Sequence, residues 1–68
     1  MKVDKLKGQM REKKQTVESL AEVTGIRYGT LRNKLDGYSR FYVDEAERIS
    51  KALGIYDQPE LVRDIFFS

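Results

Sequence analysis

Residues 16–37 read TVESLAEVTGIRYGTLRNKLDG, and this stretch decides the fold of the chain. It begins with Thr16, whose hydroxyl can cap the free backbone N–H groups at the start of a helix. Leu20 follows four residues later, and the second half of the stretch repeats this interval between Leu31 and Leu35. Because residues four apart lie on one face of an α-helix, the pattern predicts two short helices, each with an apolar face.

The segment between these two helices carries the residue types that a tight turn requires. Gly25 can adopt the positive φ angle that ends a helix, and Ile26 supplies an apolar side chain within the turn. Ala21 is small, which lets the two helices cross closely. Two short helices joined by a glycine-containing turn of about three to four residues form a helix-turn-helix, whose second helix enters the major groove of DNA.

Three more helices are predicted around this motif. The first covers about residues 4–14, the fourth begins near Asp44 with Glu47 as its capping partner, and the fifth begins at Pro59, which suits a first helical position. Further apolar residues are expected to face inward: Val3, Leu6, Met10, Val17, Val23, Ala46, Ile49, Ala52 and Leu53. The apolar residues of the fifth helix are Leu61, Val62, Ile65 and Phe66. The pattern predicts a single all-α domain that covers residues 1–68.

The residue types that most enzymes and metal sites use are missing from this sequence. Its 68 residues include no cysteine and no histidine, which removes disulfides, thiolate ligands and the usual general base at neutral pH. The spacing of the acidic residues does not suggest a site made of carboxylates alone. We therefore expect a protein that is not an enzyme and that holds neither a metal ion nor a cofactor.

The net charge of +2 is unevenly distributed along the chain. Residues 1–43 hold ten Lys or Arg against five acids, and residues 44–68 hold three against six. This asymmetry indicates a half that binds a polyanion, although an ordinary solvated surface explains it equally well. The first residues are charged, with no apolar signal segment after them, and no run approaches about 18–20 apolar residues, so we expect a cytoplasmic protein.

A longer pattern of fixed spacing runs through residues 5–55. It reads Thr16-x-x-x-Leu20-Ala21-x-x-x-Gly25-Ile26-x-x-x-Thr30-Leu31-x-x-x-Leu35-x-Gly37, followed by Phe41 and by Ala52-Leu53-Gly54-Ile55. In this pattern the chain resembles the Cro/repressor-type, or lambda repressor-like, helix-turn-helix family of phage and bacterial regulators. The resemblance implies a compact bundle of four or five helices that binds DNA, often as a dimer on a pseudo-palindromic operator.

Four positions depart from the usual pattern of that family. Valine stands at position 17 in place of glutamine, and Asp36 stands in place of asparagine and would repel a phosphate. Arg27 and Tyr42 replace the smaller capping residues that usually precede the third and fourth helices. These departures leave the expected fold unchanged and concern how the domain docks on DNA.

The resemblance assigns DNA contacts to the second helix of the motif, to its flanks and to the start of the first helix. Base edges would be read by Tyr28, Gly29, Thr30, Arg32 and Asn33. Arginine can bind guanine O6 and N7 through two hydrogen bonds, and asparagine can bind adenine N6 and N7 in the same way. Contacts to phosphates position the domain on the duplex but carry no sequence information. The residues that would make them are Thr16, Val17, Arg27, Lys34, Tyr38 and Arg40.

The segment at 56–68 has two interpretations. Its apolar residues either complete the small core or form a contact with a second copy, through Ile65, Phe66 and Phe67. The two phenylalanines are adjacent and cannot both point inward from one helix, and an exposed aromatic side chain is a good anchor for an interface.

Two functions remain in competition. The first is a transcriptional regulator of the phage repressor or Cro type, which reads a double-stranded DNA operator with the helix at 28–35. The alternative is an antirepressor or modulator of the same fold that binds a partner regulator protein. The modest net charge, Val17 and Asp36 favour this alternative.

Overall fold

The computed structural model describes residues 2–67, and these residues form five α-helices and no strand. The helices are α1 Val3–Glu12, α2 Val17–Thr24, α3 Tyr28–Leu35, α4 Val43–Ala52 and α5 Pro59–Phe66. The all-α class is thereby confirmed. The ends of the predicted domain, Met1 and Ser68, lie outside the described residues. No helix within residues 2–67 combines the length and the apolar character that a membrane crossing requires.

The helix-turn-helix is closed by hydrogen bonds at both ends of α2. The Thr16 hydroxyl accepts the N–H of Ser19 at 3.1 Å, and the Ser19 hydroxyl accepts the N–H of Thr16 at 2.9 Å. Gly25 has a φ of 77° and donates its N–H to the carbonyl of Ala21 at 2.9 Å. The predicted cap and the predicted glycine turn are both confirmed, and α3 begins three residues after this glycine.

One apolar core joins all five helices. α2 packs against both α3 and α4, while α5 packs against α1 and α4. Leu31 and Leu35 anchor α3 to this core, and Ile26 is buried in the turn as predicted. The buried apolar residues are Leu6, Met10, Leu20, Ala21, Ile26, Leu31, Leu35, Phe41, Ala46, Ile49, Leu53, Ile55, Ile65 and Phe66.

The prediction that Val23 faces inward is wrong, because this side chain is 64% exposed. At 3.6 residues per turn, Thr24 lies between Leu20 and Ala21 around the helix, whereas Val23 lies outside that stripe. Thr24 is therefore the buried residue, and its hydroxyl donates to the carbonyl of Leu20 at 2.7 Å. A polar side chain thus occupies a core position without leaving its hydroxyl unpaired.

The start of α4 also differs from the prediction. The helix begins at Val43, and Glu45 accepts the N–H of Tyr42 at 2.8 Å through Oε1. Glu47, the expected capping partner, instead pairs with Lys51 at 3.0 Å on the outside of the helix. The capping carboxylate stands three positions after the residue that precedes the helix, so an earlier start makes Glu45 the partner.

The two ends of the described chain are fastened to each other. The N–H of Lys2 donates to the carbonyl of Ile65 at 2.7 Å. Asp64 pairs with Lys2 at 2.8 Å and also with Lys5. These two ammonium groups lower the pKa of Asp64 from 3.8 to about 2 by hydrogen bonding to its charged form. These contacts hold α5 against α1. Neither helix belongs to the helix-turn-helix, which is formed by α2 and α3.

Candidate nucleic-acid interface

The five residues predicted to read bases lie on the solvent side of α3. Tyr28, Gly29, Thr30, Arg32 and Asn33 are all exposed. Around the helix they occupy a continuous arc, and the opposite arc holds Leu31 and Leu35. A Cβ atom added at Gly29 would meet no atom within 4 Å, so this part of the helix is open to an approaching duplex.

Arg32 lies within the exposed arc, between Tyr28 and Gly29 around the helix, and is loosely held. Its Nε lies 3.6 Å from Oδ2 of Asp36, one turn further along the chain, and its side chain is 57% exposed. An exposed pair of this kind is worth about 0–1 kcal/mol, so the guanidinium can exchange Asp36 for a base edge. Asn33 is its exposed neighbour and can present both an amide donor and an acceptor.

A groove runs beside α3, between the end of α1 and the start of α2. It is lined by Lys7, Met10, Arg11, Gln15, Thr16, Val17, Arg32, Leu35 and Asp36. Three cations therefore share this groove with a single carboxylate. The structure thus adds Lys7 and Arg11 of α1 to the surroundings of Arg32. Only the packing of α1 against the motif reveals their position.

The start of α2 offers backbone N–H groups to this groove. The first N–H groups of an α-helix lack a partner within the helix. The N–H of Thr16 is already bound by Ser19, so the groups open to a phosphate are those of Val17 and Glu18. The side chain of Val17 packs partly against the core and contributes an apolar wall rather than a polar contact.

The structure contradicts the expectation that Lys34 faces a phosphate. Its side chain is buried, and its ammonium forms an ion pair with Glu45 of α4. Around α3, Lys34 lies next to Leu31 on the inward arc. The position of Lys34 around the helix could be calculated from the sequence, but its charge led to the prediction that it is exposed. Lys34 is a buried residue of α3 and does not belong to its exposed arc.

The other predicted phosphate contacts are accessible at the two ends of α3. Arg27 precedes the helix, and Tyr38 and Arg40 follow it, all with exposed side chains. Tyr38 is tied to the helix end through its backbone, because its N–H donates to the carbonyl of Asn33 at 3.1 Å. Arg27 and Arg40 thus supply a cation beyond each end of α3, and cations so placed suit the phosphates that border a major groove. Contact with DNA at these positions stays a prediction.

The predicted contact with a second copy is corrected at two of its three residues. Ile65 and Phe66 are buried, and the ring of Phe66 meets that of Phe41 edge to face with centroids 5.5 Å apart. They complete the core and cannot serve a partner without unfolding. Phe67 is 52% exposed, as the geometry of adjacent residues on a helix requires, and it borders a surface groove with Tyr56 and Val62.

One of the comparisons with known proteins agrees with this geometry. A family model described as the Cro/C1-type HTH DNA-binding domain matches residues 5–59. No curated protein and no solved structure shows a significant match to the chain. The matched segment contains the whole of α2 and α3 and every residue predicted to contact DNA, whereas all of α5 after Pro59 lies outside it. Within residues 2–67, no group of three or more Asp or Glu side chains is placed to hold a metal ion.

Proposed function

The chain belongs to the Cro/C1-type helix-turn-helix DNA-binding domain family, and on this basis we propose that it is a transcriptional regulator that reads an operator with α3. One observation carries the proposal: α3 is fastened by buried Leu31 and Leu35 while Arg32 and Asn33 face solvent. A helix held in this way can insert its polar arc into a major groove without rearrangement of the core.

The proposed division of labour follows the chemistry of the exposed side chains. Arg32 and Asn33 read base edges, while Tyr28, Gly29 and Thr30 approach the floor of the groove at the start of α3. Phosphates are bound by Arg27, Tyr38 and Arg40 and by the open N–H of Val17, with Lys7 and Arg11 as further cations. Affinity then comes largely from phosphate neutralisation and falls steeply with added salt.

The biological role that suits such a domain is repression. A phage-type repressor or Cro-like protein occupies a promoter in the cytoplasm of a bacterial cell and excludes the polymerase. Two copies on half-sites about 34–36 Å apart would double the sequence that is read.

The proposed contact between copies is the surface formed by Tyr56, Val62 and Phe67, with Arg63 at its edge. In a two-fold symmetric contact, residue i of one copy meets residue j of the other and the reverse. A contact of this kind buries the same apolar residues, Val62 and Phe67, from both copies. α3 shares no wall of this groove, so the contact leaves the proposed DNA side free.

Selection of bound sites from a random pool of duplex DNA tests the proposal. The expected result is enrichment of one short sequence, lost when Arg32 and Asn33 are both replaced by alanine. The matched control is Lys13→Ala, which removes an exposed cation after the end of α1 that lines neither of the two grooves. If the folded domain enriches no sequence from the pool at low salt, the proposed regulatory function is refuted.

A modulator that binds a partner regulator is the second candidate. Three exposed apolar side chains favour it: Tyr38, Tyr42 and Val43, all in the segment from the end of α3 to the start of α4. Exposed apolar residues that lie close together often mark a protein contact. Failure to bind any duplex, together with a complex with a purified repressor that Tyr42→Ser abolishes, would support this candidate.

A further inference from the structure

Lys34 and Glu45 join the proposed recognition helix to the start of the next helix. Lys34 is 5% exposed and Glu45 is 7% exposed, and the ammonium of one bonds to Oε1 of the other. They stand eleven positions apart in the sequence. Burial of two charges is costly, and it is tolerated where the geometry is good and the remaining polar atoms are satisfied.

The carboxylate of Glu45 is held in place by a second bond. The same Oε1 atom accepts the backbone N–H of Tyr42 at 2.8 Å, which caps α4. Any displacement of Glu45 toward Lys34 or away from it would therefore disturb the start of α4. The carboxylate is a fixed point on α4 and does not follow the position of α3.

The ammonium of Lys34 is confined by two aromatic rings. It lies 4.3 Å from the ring centroid of Tyr42 and 5.8 Å from that of Phe41. Both distances are within the range in which a cation is attracted to the face of an aromatic ring. The ammonium of Lys34 is therefore surrounded by three groups: the carboxylate of Glu45 on α4 and the rings of Phe41 and Tyr42 in the loop before α4.

The remaining anchors of α3 have a different character. Leu31 and Leu35 are apolar, and the attraction between apolar surfaces has no preferred direction. Among residues 2–67, Lys34–Glu45 is the one side-chain ion pair found between α3 and another helix. This contact is directional, and its donor lies next to Asn33 in the chain.

We propose that the Lys34–Glu45 pair sets the orientation of α3 and so determines sequence discrimination without touching DNA. Lys34 is in this sense a positioning residue for Arg32 and Asn33. The inference rests on the proposed function, since it names what orients the surface that reads DNA. A pair that only filled the core would be replaceable by uncharged side chains with no change in discrimination.

The double variant Lys34→Met/Glu45→Gln tests the proposal. Glutamine retains an oxygen for the N–H of Tyr42, so the cap of α4 is preserved while the ion pair is removed. The matched control is Lys51→Met/Glu47→Gln, which makes the same changes in the exposed pair of α4 and leaves the net charge equal. Urea unfolding first establishes that both variants are folded.

The decisive readout is the ratio of the dissociation constants for random DNA and for the selected operator. We expect this ratio to fall at least tenfold in Lys34→Met/Glu45→Gln and to change less than twofold in the control. The slope of affinity against salt concentration should stay the same in both, because no phosphate contact is removed. A folded variant with the ratio of the unaltered protein overturns the proposal.

Two further measurements keep the outcome decisive. If the double variant does not fold, Lys34→Arg replaces it. The buried charge stays paired, but the larger guanidinium changes the distance between α3 and Glu45, so the proposal predicts altered discrimination. Unchanged discrimination would again overturn the proposal. If the unaltered domain binds no DNA, the proposed function fails separately. Residual dipolar couplings of the free protein then test the orientation itself, and an α3 direction unaltered in the variant contradicts it.

Discussion

Asp36 Oδ2 lies 3.6 Å from Nε of Arg32 on the exposed side of α3. The carboxylate thus lies beside the arginine proposed to read a base, in the groove that also contains the start of α2. It neutralises part of the positive charge there and repels any phosphate that approaches the N–H groups of α2. We therefore expect Asp36 to weaken the attraction of this surface to DNA.

Replacing Asp36 by asparagine should therefore increase affinity for DNA. The change removes one repulsive charge and releases Arg32, for a gain of roughly 1 kcal/mol, or about fivefold. Fluorescence anisotropy with a labelled operator at fixed salt measures the effect. Asp57→Asn removes an acid outside the proposed interface and should leave affinity nearly unchanged. An equal gain in both variants would indicate that only net charge matters.

Arg32→Ala and Asn33→Ala should each weaken operator binding by about 1–3 kcal/mol and relax the preference at one base pair. The reason is that each side chain can form two hydrogen bonds with a single purine in the major groove. Competition binding against operators with single substitutions identifies the base pair affected. Losses that are equal for all sequences would instead assign these residues to phosphate contact.

Glu45→Ala should destabilise the domain far more than Glu47→Ala. The first change leaves the ammonium of Lys34 buried without its partner, which costs about 3–5 kcal/mol. The second removes an exposed pair worth less than about 1 kcal/mol. Urea unfolding followed by circular dichroism compares the two. Similar losses would mean that water reaches Lys34 and that the pair is not buried in solution.

Local patterns predicted the helix-turn-helix well, and contacts between distant residues explain what they missed. The bounds of α3 follow from Leu31 and Leu35 together with the turn at Gly25, all of which act within a few residues. The partner of Lys34 stands on another helix, and no periodicity identifies it. An isolated lysine favours solvent, and burial becomes favourable only when the fold brings Glu45 to it.

The same distinction applies to α5. The helix itself, beginning at Pro59, was predictable from its first residue and its apolar spacing. The burial of Phe66 depends on Phe41, twenty-five positions earlier, whose ring fills the space beside it. A hydrophobic pattern names the apolar residues of a short helix, but it does not tell which of them the rest of the fold covers.

Asp64 makes the stability of the domain dependent on pH. Lys2 and Lys5 lower the pKa of this carboxyl from 3.8 to about 2 in the folded state. The stabilisation is fully present above 3.8, where the unfolded chain is also ionised, and it is lost as the pH falls toward about 2. The difference in unfolding free energy between the unaltered protein and Asp64→Asn should thus shrink steadily across this window. A difference that does not change with pH would exclude the two lysines as its cause.

Phe67→Ser should reduce cooperative binding to paired half-sites while sparing binding to one half-site. Phe67 is half-exposed at the edge of the proposed surface between copies, and its removal takes apolar area from the contact without touching α3. Gel-shift titrations on one and on two half-sites measure the cooperativity. Val23→Ser is the control, since it removes an exposed apolar side chain from α2. Cooperativity that survives in Phe67→Ser, with folding intact, would move the contact to another face.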